Sequence, residues 1–122
     1  RVYADRIQLK RVIKNLIQNA ISYGEPNFPI EISIGEIPQY IVIKVKDYGA
    51  GISQADIDKI FNKYYSAAKK FRKIGTGLGL YLALQIVKGH GGELAVESEE
   101  GKFTEFTIKL PAVMNINLHY GE

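Results

Sequence analysis

The 122-residue sequence predicts an α+β fold, a two-layer α/β sandwich in which a mixed or antiparallel sheet packs on about three helices. Helical and strand periodicities follow one another in the order helix, strand, strand, helix, basic segment, helix, strand, strand. The strands therefore come in pairs, whereas a doubly wound fold would alternate strand and helix more strictly. An apolar content of 46% and a charged content of 24% are ordinary for a folded domain.

The first helix is predicted over residues 6–22, because apolar residues recur there every three or four positions. These residues are Leu9, Val12, Ile13, Leu16, Ile17 and Ala20. Gly24, Pro26 and Pro29 predict the end of this helix. Isoleucines then alternate with polar residues over 30–34, which predicts a strand with one buried face.

The second strand, YIVIKVKD over residues 40–47, ends in a carboxylate on its apolar face. Ile41, Ile43, Val45 and Asp47 alternate with the other residues and therefore lie on one side of the strand. An ionised carboxylate in that position is costly unless another group bonds it. The two glycines that follow in DYGAGI break the strand.

The middle of the chain is predicted to hold two helices separated by a basic segment. Ser53 is a candidate N-cap for a short helix over residues 53–61, with Asp56 three residues later in an imperfect capping box. Residues 62–74 show no clear periodicity. The glycine-rich GTGLGL, at 75–80, then opens a longer helix that ends at the next pair of glycines.

Two more strands complete the domain, which we place at residues 1–111. The first contains Leu94 and Val96, and the second puts four alternate residues on one face. Those four are Thr104, Phe106, Ile108 and Leu110. The C-terminal tail, residues 112–122, alternates only weakly, and a short strand, an ordered end and no regular structure all stay open for it.

The composition excludes several classes of protein. There are no cysteines, so disulfides and zinc–thiolate sites are excluded. The net charge of +3 is too small to argue for a nucleic-acid partner. No apolar run approaches the roughly 18 residues that span a bilayer, and the N-terminus does not resemble a signal peptide. We expect a soluble, cytoplasmic domain without membrane or nucleic-acid contact, cut from a larger protein that could itself be membrane-anchored.

The glycines of GTGLGL fit neither common nucleotide-binding pattern. The dinucleotide fingerprint needs glycine at its sixth position and a strand before it, and no Gly-Lys-Ser/Thr of a P-loop occurs. The glycines instead precede a helix N-terminus, whose free N–H groups favour an anion. Five cations stand just before them: Lys63, Lys69, Lys70, Arg72 and Lys73. We favour a phosphate site here over a glycine-rich turn beside a solvated loop.

Asp47 is a candidate acceptor for the amino group of a bound base. It precedes two glycines that would let a flat ligand approach, and adenine N6 offers a hydrogen-bond donor. Thr104 faces inward and could supply a hydroxyl to the same pocket. The alternative for Asp47 is an ordinary aspartate that opens a turn.

Asn15 and Asn19 lie four residues apart and therefore share one face of the first helix. Magnesium prefers oxygen ligands and commonly keeps several waters, so one amide oxygen plus phosphate oxygens would suffice. Asn19 could give that oxygen; the alternative is a pair of helix-surface amides. The sequence around His90 and His119 does not indicate a metal site, and both are interpreted as surface or turn residues.

In this order and spacing, the motifs resemble the nucleotide-binding core of the GHKL superfamily, most closely the catalytic ATP-binding domain of sensor histidine kinases. ADRIQLKRVIKNLIQNAISYG looks like the N box of that family, DYGAGI its G1 box, IFNKYY its F box and GTGLGL its G2 box. The resemblance covers residues 5–111. It implies ATP and Mg²⁺ as cofactors, and a mobile lid over the ATP.

The resemblance also implies roles for single residues. Asn15 and Asn19 are the catalytic pair, with Asn19 as the magnesium ligand, and Asp47 binds the adenine amino group. The other implied ATP-binding residues form the pocket wall, the lid with its anchor, and the phosphate cradle. They are Tyr23, Gly49, Gly51, Ile52, Phe61, Lys70, Arg72, Gly75, Thr76, Gly77, Leu78, Gly79, Leu80 and Thr104.

Two positions bear on the reaction. The ATPases of the superfamily carry a water-activating Glu at the position of Asn15, and an amide cannot act as that base. The family often has Lys where Ser22 stands here, so one phosphate contact is missing, which a lid lysine or Arg72 could replace.

The function implied is binding of Mg-ATP and donation of its γ-phosphoryl to a histidine on a separate helical dimerisation domain, with a response regulator downstream. The phosphoacceptor domain itself is absent from the sequence. The alternatives are an anti-sigma-type protein serine kinase and a nucleotide-binding docking module without catalysis.

Overall fold

The computed structural model describes residues 6–62 and 79–112 of the chain. The basic segment and most of GTGLGL, together with residues 113–122 of the tail, lie outside these described residues. In chain order the elements are α1 (Arg6–Tyr23), β1 (Glu31–Ile37), β2 (Tyr40–Asp47), α2 (Gln54–Ile57), α3 (Gly79–Gly89), β3 (Glu93–Glu99) and β4 (Phe103–Pro111).

The four strands form one antiparallel sheet in the order β1-β2-β4-β3. One face of this sheet carries the helices: α1 packs against β2 and against α3, and α3 packs against β3. The predicted α+β two-layer sandwich is therefore confirmed, with an antiparallel sheet. None of the helices in the described ranges is long and apolar enough to cross a membrane.

The core lies between the two layers. The inward residues of α1 and α3 meet alternate residues of β2 and β4, as the periodicities predict. The largest fully buried side chains are Phe106, Leu16, Ile108, Leu110, Val12, Val45 and Val87. Phe61 packs edge-to-face on Phe106, with ring centroids 6.1 Å apart. The core therefore reaches the end of the sheet at which Asp47 and Thr104 lie opposite each other.

The prediction that β1 has one buried face is wrong. Every residue of β1 is exposed, with Ile32 49% and Ile34 70% accessible to solvent. Ile32 and Ile34 pair with Val45 and Ile43 and so lie on the helix-bearing face. However, β1 is the edge strand, and α1 packs over its neighbour β2, so the described helices leave this end of the sheet uncovered.

The helices differ from the predictions in detail. Helix α2 has only four residues, Gln54–Ile57, although its predicted N-cap is confirmed: the Ser53 hydroxyl accepts a hydrogen bond from the Asp56 N–H. In α3 the buried residues are Ala83 and Val87, whereas Leu82 is 40% exposed.

Candidate nucleotide-binding site

Asp47 is the last residue of β2 and lies on the same buried face as Ile43 and Val45, as the alternation in the sequence predicts. Its side chain is buried, with 2% of the residue exposed. One carboxylate oxygen, Oδ1, accepts a hydrogen bond from the Gly49 N–H at 3.0 Å. Within the ranges that the structure describes, this N–H is the only hydrogen-bond donor to the carboxylate. Most of its capacity to accept hydrogen bonds is thus available to a ligand.

Burial raises the pKa of the Asp47 carboxyl to about 6, and the hydrogen bond from Gly49 opposes this effect. Loss of hydration destabilises the charged form of the carboxyl. A ligand that donates a hydrogen bond to the carboxylate would reduce this penalty. A strongly raised pKa of a buried acid beside an open loop is typical of a functional position.

The raised pKa predicts how stability depends on pH. Between about pH 4 and pH 6 the folded protein keeps the Asp47 proton that the unfolded chain releases, so the free energy of unfolding falls as the pH rises. Asp47→Asn removes this penalty. We expect the variant to gain up to about 3 kcal/mol relative to the wild type between pH 4 and pH 7. Urea denaturation at both pH values measures the gain. The exposed Asp58→Asn is the control, and an equal difference at both pH values would contradict the pKa.

A second buried polar residue, Thr104, lies directly opposite Asp47 on β4 and is 5% exposed. On its other side Thr104 pairs with Ser98 of β3. Directly opposed residues of antiparallel strands point to the same face, so these three side chains form a polar row across the sheet. The Ser98 and Thr104 hydroxyl oxygens are 3.0 Å apart.

Sequence reasoning missed Ser98, although its alternation with Leu94 and Val96 already places it on the buried face.

The DYGAGI loop is held on both sides by backbone contacts. On the helix side, the Ala50 N–H donates to the Tyr23 carbonyl at 3.4 Å. On the side of the β3–β4 hairpin, the Ala50 carbonyl accepts a hydrogen bond from the Gly101 N–H at 2.6 Å. A Cβ on Gly49 would overlap the Tyr23 carbonyl oxygen, and Gly51 has a φ of +71° and lies against the Glu99 carbonyl. Both glycines are therefore required by close backbone packing.

The loop ends at Ile52, which is also hydrogen-bonded to the β3–β4 hairpin. The Ile52 N–H donates to the Ser98 hydroxyl at 2.8 Å. The Ile52 side chain packs against the core, as do those of Phe61 and Leu80. The structure thus brings Asp47, the loop glycines, Ile52 and Thr104 together.

Asn15 and Asn19 are both half-buried on α1. The Asn15 amide donates to the Gly79 carbonyl at 3.2 Å and so joins α1 to the start of α3. Asn19 follows one turn later on the same face. Among the described residues no group of three or more acidic, His or Cys side chains is arranged to hold a metal.

Tyr23 lines an open cavity of about 630 Å³ at the end of α1, together with Ser22, Tyr48 and Gly49. Six further predicted site residues lie outside the described residues. These are Lys70, Arg72, Gly75, Thr76, Gly77 and Leu78.

The sequence matches the family described as histidine kinase-, DNA gyrase B- and HSP90-like ATPases over residues 4–114. The sensor protein SrrB of Staphylococcus aureus is 39% identical over 109 residues, which are 88% of this chain and 19% of SrrB. This chain therefore spans about a fifth of the length of that relative.

Solved structures give a consistent result. The mycobacterial sensor histidine kinase MprB superposes with a TM-score of 0.82 at 28% identity, over 90% of this chain and 76% of the MprB chain. Full-length ShkA in complex with AMPPNP gives a TM-score of 0.79 over 90% of this chain and 22% of that one. At 23% identity, its similarity concerns the fold alone.

A nucleotide-free form of the catalytic domain of the histidine kinase ThkA gives a TM-score of 0.77 at 32% identity. The alignment covers 90% of this chain and 71% of the ThkA domain. The family match over nearly the whole chain and the likeness to this domain agree. The chain belongs to the histidine kinase-, DNA gyrase B- and HSP90-like ATPases, as the catalytic domain of a sensor histidine kinase.

Proposed function

We propose that this domain binds Mg-ATP and donates the γ-phosphoryl to a histidine on a separate helical dimerisation domain of the same protein or of its dimer partner. The observation that carries the proposal is the buried Asp47 carboxylate, which among the described residues accepts a hydrogen bond only from the Gly49 N–H and so keeps further acceptor capacity. Adenine N6 supplies the donor that such an acceptor needs. The match to the histidine kinase-, DNA gyrase B- and HSP90-like ATPases over residues 4–114 supports ATP as the ligand.

Asn19 is the proposed magnesium ligand, through its amide oxygen. A single protein oxygen suits Mg²⁺, which takes its other ligands from phosphate oxygens and water. When bound, the ion neutralises charge on the phosphates during transfer. The phosphates would rest on residues 75–80, with Lys70 and Arg72 as cationic partners.

Asn15 is the second proposed catalytic residue, and its role is to position α1 against α3 rather than to activate water. Its amide has no basic lone pair at neutral pH and cannot remove a proton from water. Its hydrogen bond to the Gly79 carbonyl instead ties α1 to the start of α3. Phosphoryl transfer needs mainly positioning and charge neutralisation, so a site without a general base suits transfer to a protein better than hydrolysis.

The proposed setting is a two-component sensor. Residues 1–111 form the ATP-binding domain, and 112–122 follow it as a tail. The domain works in the cytoplasm beside its phosphoacceptor domain, and a response regulator receives the phosphoryl group. The likeness to sensor proteins such as SrrB supports this setting.

Substitution of Asn19 tests the metal site. We expect Asn19→Ala to lose the gain in ATP affinity that Mg²⁺ provides, because its amide oxygen is the only protein ligand proposed for the ion. Affinity for ADP without metal should stay within about twofold, since the base contacts are unchanged. Titration calorimetry with and without Mg²⁺ measures both. The exposed Gln18→Ala is the control. An undiminished Mg²⁺ effect in Asn19→Ala would contradict the assignment.

The reaction is tested by phosphoryl transfer in solution. The chain is incubated with Mg²⁺, ATP labelled at the γ-phosphoryl, and the helical dimerisation domain of its own full-length protein. We expect label on the helical domain that is stable to base and labile to acid, as phosphohistidine is. Acid-stable label would indicate a serine or threonine acceptor and would contradict the proposal, as would the absence of transfer despite ATP binding.

A further inference from the structure

Ser98 has so far been assigned no part in ligand recognition, yet it makes the most hydrogen bonds of the three side chains in the polar row. Its hydroxyl accepts from the Ile52 N–H at 2.8 Å, donates to the Phe103 carbonyl at 2.6 Å, and lies 3.0 Å from the Thr104 hydroxyl. Three hydrogen bonds exhaust a hydroxyl, which has one proton and two lone pairs.

The direction of the bond between Ser98 and Thr104 follows from counting protons. The Phe103 carbonyl can only accept, so the single Ser98 proton is directed to it. The Ile52 N–H can only donate and occupies one lone pair of Ser98. The remaining lone pair faces Thr104, so the Thr104 hydroxyl must be the donor. The Thr104 hydroxyl proton is therefore directed to the Ser98 oxygen, and Thr104 offers only lone pairs to a ligand.

From this geometry we infer that Ser98 is a positioning residue that determines base specificity by making Thr104 an obligatory acceptor. Thr104 lies directly opposite Asp47, so the two side chains then present neighbouring acceptors, a carboxylate and a hydroxyl oxygen. An exocyclic amino group with two N–H donors, as in adenine, satisfies this pair. A 6-oxo purine would bring a carbonyl oxygen against this pair and keeps only one neighbouring donor, its N1–H, so it cannot satisfy both acceptors. The inference rests on the proposed binding of ATP at Asp47.

A purely structural role for Ser98 makes a different prediction. The bond to Ile52 also holds the end of the DYGAGI loop. If that were its whole role, loss of the hydroxyl would weaken every nucleotide equally. The ratio of affinities for an amino purine and an oxo purine separates the two roles, because only a change in hydrogen-bond direction alters it.

The test compares ADP with inosine diphosphate, which replaces the 6-amino group by an oxygen. Calorimetry at pH 8, where Asp47 is ionised, gives the affinity ratio for each variant. We expect the wild type to prefer ADP strongly, and Ser98→Ala to lower the preference about tenfold, because the freed Thr104 hydroxyl can rotate and donate. Ser98→Thr keeps the hydroxyl and should keep the preference. Ser33→Ala, the same change on the exposed β1, is the control.

A second variant keeps the test independent of the Ser98 contacts with the loop. Thr104→Val removes the acceptor at nearly constant volume and should lower the preference to a similar extent. Because Ser98 acts through Thr104, adding Ser98→Ala to Thr104→Val should lower it no further. An unchanged ratio in Ser98→Ala, or additive effects in the double variant, would overturn the inference. A wild type that binds neither nucleotide would instead contradict the proposed function.

Discussion

Asp47→Asn is expected to lower the affinity for ADP by about 30- to 150-fold, the equivalent of about 2–3 kcal/mol. The amide keeps the volume of the carboxyl, but its NH₂ group places a donor where the adenine amino group also donates. In the buried site of Asp47, water cannot repair this mismatch. The fold should persist, because within the described residues the carboxylate supports only the Gly49 N–H.

Calorimetric titration of the variant with ADP measures this loss, and thermal denaturation checks the fold. Asp58→Asn makes the same chemical change at an exposed position and should bind as the wild type does. Unchanged ADP affinity in a folded Asp47→Asn protein would show that Asp47 does not contact the base.

The substitution Gly49→Ala is also expected to have a large effect, because it should lower both the stability of the domain and its affinity for nucleotide. The added methyl group would overlap the Tyr23 carbonyl oxygen and approach Gly24 Cα, which are main-chain atoms that no side-chain rotation can move. Overpacking of this kind costs about 1–3 kcal/mol and forces the backbone to shift. The shift displaces the loop from Asp47, so nucleotide affinity should fall at least tenfold as well.

The chain offers a matched control for this change. A methyl group added to Gly35 on β1 would have no other atom within 4 Å, so Gly35→Ala should leave stability unchanged or slightly raised. Denaturation midpoints and ADP affinities of the two variants are compared directly. Equal stability of Gly49→Ala and Gly35→Ala would contradict the tight packing of the loop against α1.

The helix α1 and the strands β2 and β4 were predictable from the sequence because their burial is one-sided and complete. Val12 and Leu16 are fully buried, and Phe106 and Ile108 alternate with more exposed residues along β4. The same rule of alternation predicted the inward position of Asp47. Where a helix covers a strand, periodicity therefore predicts both the element and its orientation.

The exposed β1 shows where periodicity stops being informative. Alternation of Ile32 and Ile34 predicts that they share a face, and they do. It does not predict whether another layer covers that face, because this depends on the order of strands in the sheet. The order places β1 at the edge, and its isoleucines remain exposed.

The candidate site was predictable in its residue types but not in its connections. Asp47, Gly49 and Thr104 stand out by motif and parity, whereas Ser98 is an ordinary serine until β3 pairs with β4. The contacts of Ser98 with Ile52 and Thr104 join residues 46 and 6 positions apart. Local patterns cannot predict such contacts, because they depend on the register of the sheet.

The central claim, that this domain binds Mg-ATP through Asp47, is tested most directly by calorimetric titration with AMPPNP. The wild type and Asp47→Asn are each titrated with and without Mg²⁺. We expect binding on the order of micromolar for the wild type, strengthened by Mg²⁺ and largely lost in the variant. Absence of binding to the wild type, or equal binding to both proteins, would contradict the claim.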